Sequence, residues 1–186
     1  LQGEQSAPKI VQVCWKSIKA NLRVNQELVS LDAKSLFDWV DIPEHVVRKW
    51  KNGKMRAAHF TDIVRLALLA RYGGVWMDAT DYLPAPLPDE ILEQDFFVYI
   101  GGDTIRGQYA FIQNCFICAK AGNPLICRWL DAVCAYWKKE DGAIDYFIHQ
   151  LIFRKLIETD REAAALFQKM PKKVQDPTHQ LWFTYG

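Results

Sequence analysis

Residues 59–80 read HFTDIVRLALLARYGGVWMDAT. At 3.6 residues per turn, a helix over Met55 to Tyr72 has a second half (Val64, Leu66, Ala67, Leu68, Leu69 and Ala70) that is apolar nearly all round, so this helix is expected to be buried. Gly73-Gly74 ends it, and Val75-Trp76-Met77 is a short apolar run of strand type. Asp78-Ala79-Thr80-Asp81 closes that run just before the Pro84-Ala85-Pro86-Leu87-Pro88 turn, which puts two carboxylates at the C-terminal end of a strand.

On the N-terminal side, Ser6 and Pro8 make a helix start, and Ile10, Val11, Cys14, Ile18 and Leu22 repeat at helical spacing. Glu27 to Leu31 reads as a short strand and Ala33 to Val40 as a helix, while a second helical piece from Pro43 to Trp50 meets a stop signal at Asn52-Gly53. On the C-terminal side, strands are expected over Phe96 to Ile100 and Phe111 to Ala119, then helices over Pro124 to Lys138, Ile144 to Ile157 and Arg161 to Lys169. Alternating strands and helices argue for an α/β domain with a mostly parallel sheet, and the absence of repeats or linkers makes residues 1–186 one unit. Ligands of such sheets bind outside the carboxyl ends of the strands, where Asp78 and Asp81 would lie.

Half of the 186 residues are hydrophobic, enough for a sizeable core. The formal net charge of +1 lacks the positive field of a duplex nucleic-acid binder, so nucleic acid is not an expected partner. No apolar run approaches the roughly 18 residues of a membrane span, because Arg65 and Arg71 interrupt the longest, and the start shows no secretory signal, so the expectation is a soluble, cytoplasmic chain. Five cysteines fit a reducing compartment better than a disulfide framework. Cys115 and Cys118 have zinc half-site spacing but no second half, and their surroundings alternate like a strand, so both are read as core residues.

His59, Asp62, Arg65 and Leu69 share one side of the buried helix. Asp62 and Arg65 are open to two readings: an ion pair satisfied within the core, or a carboxylate and guanidinium facing a cleft, where they would grip sugar hydroxyls. Asp78, Thr80 and Asp81 form an oxygen-rich group of the kind that holds magnesium or manganese with a diphosphate, although either Asp could instead cap amides of the turn. Arg48, Lys49, Lys51, Lys54 and Arg56 form a basic run, read either as a solvated helix face or as a surface attracted to anionic membrane and lipid-linked phosphates.

The 59–80 block resembles the signature of the capsular polysaccharide synthesis proteins and of the family 32 glycosyltransferases: a helix with Ser/Thr-Asp-x-x-Arg, then Tyr-Gly-Gly, an apolar strand and an Asp-x-Asp or Asp-Ala-Thr ending. The likeness extends from DIPEHVVRKWKNGKMRAAHF through QNCFICAKAGNPL to IDYFIHQLIF. It implies a GT-A-like, Rossmann-type domain that moves a sugar, with retention of configuration, from a nucleotide-sugar donor to a glycan or lipid-linked acceptor in bacterial surface polysaccharide synthesis. The cofactor implied is a divalent metal, manganese or else magnesium, and the place of work implied is the inner face of the membrane. By resemblance, Asp62 and Arg65 hold donor-sugar hydroxyls with His59 beside them, Asp78 is the first Asp of the Asp-x-Asp motif, and Asn114 is a donor-side Asn. Asp145 on the substrate side and His149 at the metal lie four apart on an expected helix, and His149 ranks above the later His179 for completing the metal site.

Two departures from the family pattern matter. Thr80 replaces the second Asp, so Asp81 is expected within reach of the metal as its substitute. Relatives also open with a Lys-Ile-Trp strand that this chain lacks, so the expected domain is without its first strand, and either the chain is truncated or its base site is remade. A catalytically impaired or truncated transferase acting as a saccharide- or protein-binding module is the alternative reading. A phosphatase-like domain with Asp78 as nucleophile is a weaker one, because it leaves Asp62 and Arg65 unexplained.

Overall fold

The computed structural model describes residues 6–101 and 111–179. The element order is α1 (Lys9–Ala20), α2 (Leu36–Trp39), α3 (Glu44–Lys51), α4 (Ala57–Tyr72), β1 (Gly74–Met77), α5 (Asp89–Leu92), β2 (Phe96–Ile100), β3 (Ile112–Ala119), α6 (Pro124–Lys139), α7 (Ile148–Thr159) and α8 (Arg161–Lys169), followed by a 3-10 turn at Asp176–His179.

The buried helix is α4: Phe60, Ile63, Val64, Leu66 and Leu69 are all in the core, and so are the polar His59, Asp62 and Arg65. It packs on α6 and touches β1 and β3, while α6 packs on α7 and α7 on α8. Trp129, Trp137, Phe60 and Phe153 fill the space between these helices with almost no exposure. Gly73 makes the hand-over from α4 to β1. Its φ is +67°, a left-handed value that costs glycine little, and a Cβ there would collide with the backbone of Ala119 and Ala121.

The sheet corrects the parallel expectation. Its order is β1-β3-β2, and both pairings are antiparallel, with Met77 opposite Phe116 and Val98 opposite Ile117. A parallel neighbour needs a crossover of a dozen or more residues, usually helical. Only the four-residue α5 lies between β1 and β2, so β3 inserts between them instead. β1 and β2 therefore point the same way with β3 opposed to both, giving a mixed α/β domain whose described strands form an antiparallel sheet.

Three other expectations move. Residues 27–31 form no strand; with no ladder partner among the described residues, Leu28, Val29 and Leu31 line the cleft instead. The helix expected from Ala33 begins only at Leu36, because Asp32 Oδ1 caps the amides of Lys34 and Ser35 and holds that segment as a turn. The helix expected from Ile144 begins at Ile148, because Asp145 accepts from Phe147 N (2.8 Å) at its own carboxylate and so sits in the approach to α7 rather than on it. On β3 the offset of three sends Cys115 and Cys118 to opposite faces, and burial pushes their thiols up to about 12 and about 11. Among the described residues no helix is long and apolar enough to cross a membrane.

Candidate functional site

A cleft of about 1200 Å³ runs along α4. Ala57, Ala58, His59, Thr61, Asp62, Arg65, Leu68, Leu69 and Tyr72 all line it, so it follows the helix from end to end. At its middle three elements converge: α4 supplies Asp62 and Arg65, the end of β1 supplies Asp78, and β3 supplies Asn114.

Arg65 is the hub. One terminal nitrogen lies 3.0 Å from Asp62 Oδ1 and 3.5 Å from Asp78 Oδ1, while the other donates to the Asn114 carbonyl. Its Nε, buried as well, has no partner. The guanidinium also sits over the Trp76 ring, 5.2 Å from its centre. Asn114 Nδ2 donates both to Asp62 Oδ1 (3.1 Å) and to His149 Nδ1 (3.1 Å), which ties the carboxylate to a histidine on α7. Burial pushes Asp62 up to about 6; Arg65 opposes that rise and the charge of Asp78 adds to it.

Asp62 and Arg65 form the ion pair and also line the cleft. His59 lines the cleft too, and its Nε2 donates to the Tyr146 carbonyl at 3.3 Å. His149 is 1 % exposed, stacks on Trp129 at 4.2 Å and does not line the cleft; it lies 3.8 Å from Asp62 Oδ1. Burial and the charges of Arg65 and His59 hold its pKa well below the usual histidine value, so it is neutral. With Nδ1 accepting from Asn114, its proton is on Nε2, which has no partner. Asp145 is not among the cleft-lining residues, and of His179 the backbone alone is described.

After Met77 the chain turns rather than continuing as a strand. Asp81 N donates to the Asp78 carbonyl (2.9 Å), and the Asp81 carboxylate accepts from Asp78 N (3.1 Å). Asp81 thus caps the turn and does not line the cleft, whereas Asp78 and Thr80 do. Burial and the neighbouring Asp78 charge push Asp81 up to about 7. Trp76 is the residue that sequence reasoning passed over. It stands two positions before Asp78 on β1 and so on the same face, and its indole N–H donates to Asp78 Oδ1 at 2.7 Å. That i,i+2 offset on a strand was the available signal.

Two carboxylates, Asp62 and Asp78, share one guanidinium, an excess of acidic over basic groups that suits a divalent cation. Among the described residues no three His, Cys, Asp or Glu side chains are grouped to hold a metal, so any ion here needs oxygens from a substrate or water as well.

In the basic run, Lys49 is buried and Lys54 is paired with Asp141 at 2.6 Å, so the five cations do not form one exposed face.

The chain is similar to an O-glycosyltransferase, braB, of Annulohypoxylon truncatum, with 32% identity over 116 residues. That match covers 59% of this chain but only 28% of the relative's length. No solved structure matches. The family described as capsular polysaccharide synthesis protein matches residues 1–185, so the chain belongs to that family.

Proposed function

We propose that this chain is the donor-binding part of a glycosyltransferase, one that moves a sugar from a nucleotide-sugar to a glycan or lipid-linked acceptor in surface polysaccharide synthesis. The observation that carries the reading is the convergence of Asp62, Arg65, Asp78 and Asn114 on one cleft wall, where a buried guanidinium is shared between two carboxylates. A carboxylate and a guanidinium, both fixed by neighbours, suit the hydroxyls of a sugar ring, since each hydroxyl donates and accepts. Asp62 and Arg65 hold the ring so that its anomeric carbon faces the acceptor, and because Asn114 and Asp78 fix both side chains beforehand, little ordering is left to be done on binding. The family and the named glycosyltransferase relative point the same way.

The divalent cation belongs to this proposal. Asp78 and Thr80 are the cleft-side groups that would hold it, with Asp81 closing the turn that carries them. When bound, the ion neutralises the departing diphosphate. Trp76 and Arg65 keep the Asp78 carboxylate oriented for that role. A GT-A-like arrangement with retention of configuration is the finer form of the proposal, supported by an Asp that closes an apolar strand at the cleft.

The test is transfer of labelled sugar from a panel of UDP- and GDP-hexoses with manganese. Asp62→Ala and Asp78→Ala are each expected to abolish transfer; if both leave it intact, the assignment is wrong.

A further inference from the structure

His149 is buried directly behind Asp62 and Asn114 and has no task in the donor reading above. We infer that it is a positioning residue: its Nδ1, as an acceptor, fixes which way the Asn114 amide faces, and so leaves Asp62 and Asn114 with one open acceptor oxygen each. The inference rests on the donor reading and adds to it what sets the polarity of that cleft wall.

One terminal atom of the Asn114 amide lies 3.1 Å from Asp62 Oδ1 and 3.1 Å from His149 Nδ1. An oxygen in that place would oppose a carboxylate oxygen, whereas a nitrogen carries two protons, one for each neighbour. The nitrogen therefore stands there, and Nδ1 is the bare nitrogen of the ring. A charged imidazole has no lone pair to offer. This one is neutral, because burial and then the charges of Arg65 and His59 hold its pKa well below the usual histidine value.

The ring is held from elsewhere, so it sets Asn114 rather than following it. It stacks on Trp129 with ring centres 4.2 Å apart, and the Trp129 indole N–H donates to the His149 carbonyl at 3.2 Å. Its proton is then on Nε2, which is buried with no partner among the described residues. An unpaired buried donor lowers stability, and an apolar ring would fill the same stack without it. Packing alone thus does not account for a histidine here; the acceptor at Nδ1 does.

The consequence lies on the cleft, which both Asp62 and Asn114 line. The two N–H groups of the Asn114 amide are taken up by His149 and Asp62, and its Oδ1 has no partner among the described residues. Asp62 receives Arg65 and Asn114 at Oδ1, which leaves Oδ2 without a partner among the same residues. Neither open oxygen is sealed inside the protein. Two open acceptors suit a ligand that donates two protons, as the hydroxyls of a sugar do. Were the amide free to turn, its N–H groups would replace Oδ1 on the wall and Asp62 would lose a partner.

The experiment compares the unaltered chain with His149→Phe, which keeps the stack and drops the acceptor, and His149→Asn, which drops the stack and returns an acceptor oxygen at the Nδ1 position. Without ligand, long-range 1H–15N NMR of the unaltered chain is expected to show His149 protonated at Nε2 and bare at Nδ1; a protonated Nδ1 would overturn the inference. In calorimetry of UDP- and GDP-hexoses with manganese, His149→Phe is expected to weaken donor binding at least fivefold and His149→Asn less than threefold. Melting temperatures are expected in the opposite order, with His149→Phe the more stable. Donor affinity that His149→Phe leaves intact, that both variants lose equally, or that follows the melting temperatures would overturn the positioning role. An Asp62→Ala variant separates this from the donor reading: donor affinity that survives it refutes the donor site, whereas loss in Asp62→Ala but not in His149→Phe refutes the role of His149 alone.

Discussion

Among the described residues two cations, Lys49 and Arg65, are buried, and their surroundings differ. Lys49 on α3 is 8% exposed, and its Nζ donates to the Trp137 carbonyl (2.7 Å) and the Glu140 carbonyl (2.7 Å) and pairs with Asp141 (3.1 Å). An ammonium has three protons, so this one is fully satisfied, and its partners are the unpaired carbonyls at the C-terminal end of α6. Arg65 is 4% exposed, lies against the cleft, is shared by two carboxylates and keeps one buried N–H without a partner. The buried charge at Lys49 is internally complete and closes a helix end, whereas the one at Arg65 is incomplete and lies at the cleft wall where the proposed donor site is built.

Substitutions sharpen the contrast. The largest effect is expected from Arg65→Ala, which strands Asp62 and Asp78 as uncompensated carboxylates: a loss of stability of about 3–5 kcal/mol by denaturant unfolding, together with loss of donor binding. Lys49→Met leaves two α6 carbonyls without their donor and is expected to cost about 1–3 kcal/mol, while leaving donor affinity in calorimetry unchanged. Donor affinity that falls with Lys49→Met, or survives Arg65→Ala in a folded protein, would break the comparison. Trp76→Phe removes the indole donor from a part-exposed Asp78 and is expected to weaken manganese-linked donor binding by about three- to tenfold, with little change in melting temperature.

The smallest effect is one of pH. Asp81 is raised to about 7 in the fold, against about 3.9 for an ordinary aspartate. The folded state therefore holds this proton more tightly than the unfolded state, and its contribution to stability falls as pH rises from 4 through 7. Asp81→Asn mimics the protonated form and keeps an oxygen for Asp78 N, so its melting temperature relative to the unaltered chain is expected to climb from pH 4 to pH 8 without added metal. A flat difference would show that Asp81 is not held neutral.

The sequence made α4 and its hand-over to β1 legible, because an all-round apolar run, two glycines and a closing Asp are local signals. Asp62, Arg65, Asp78 and Asn114, from three different elements, all line one cleft. Strand direction was not legible. Alternating elements look alike whether β3 lies beside β1 or inside a longer parallel sheet, and what decides is whether a crossover helix exists. Residues 27–31 carry strand-forming side chains, yet a strand requires a partner, and that is a tertiary fact. Asp81 was expected at the metal as a substitute for the missing second Asp, whereas its carboxylate accepts from Asp78 N and closes the 78–81 turn, a contact that the residue types alone do not announce.

Calorimetric titration of UDP- and GDP-hexoses into the unaltered chain and into Asp78→Asn, each with and without manganese, tests the central claim most directly. The unaltered chain is expected to bind one of these donors at least tenfold more tightly with manganese, and Asp78→Asn to lose that gain while keeping its melting temperature. The same manganese gain in both proteins, or donor binding in neither, would contradict a donor site built on Asp62, Arg65 and Asp78.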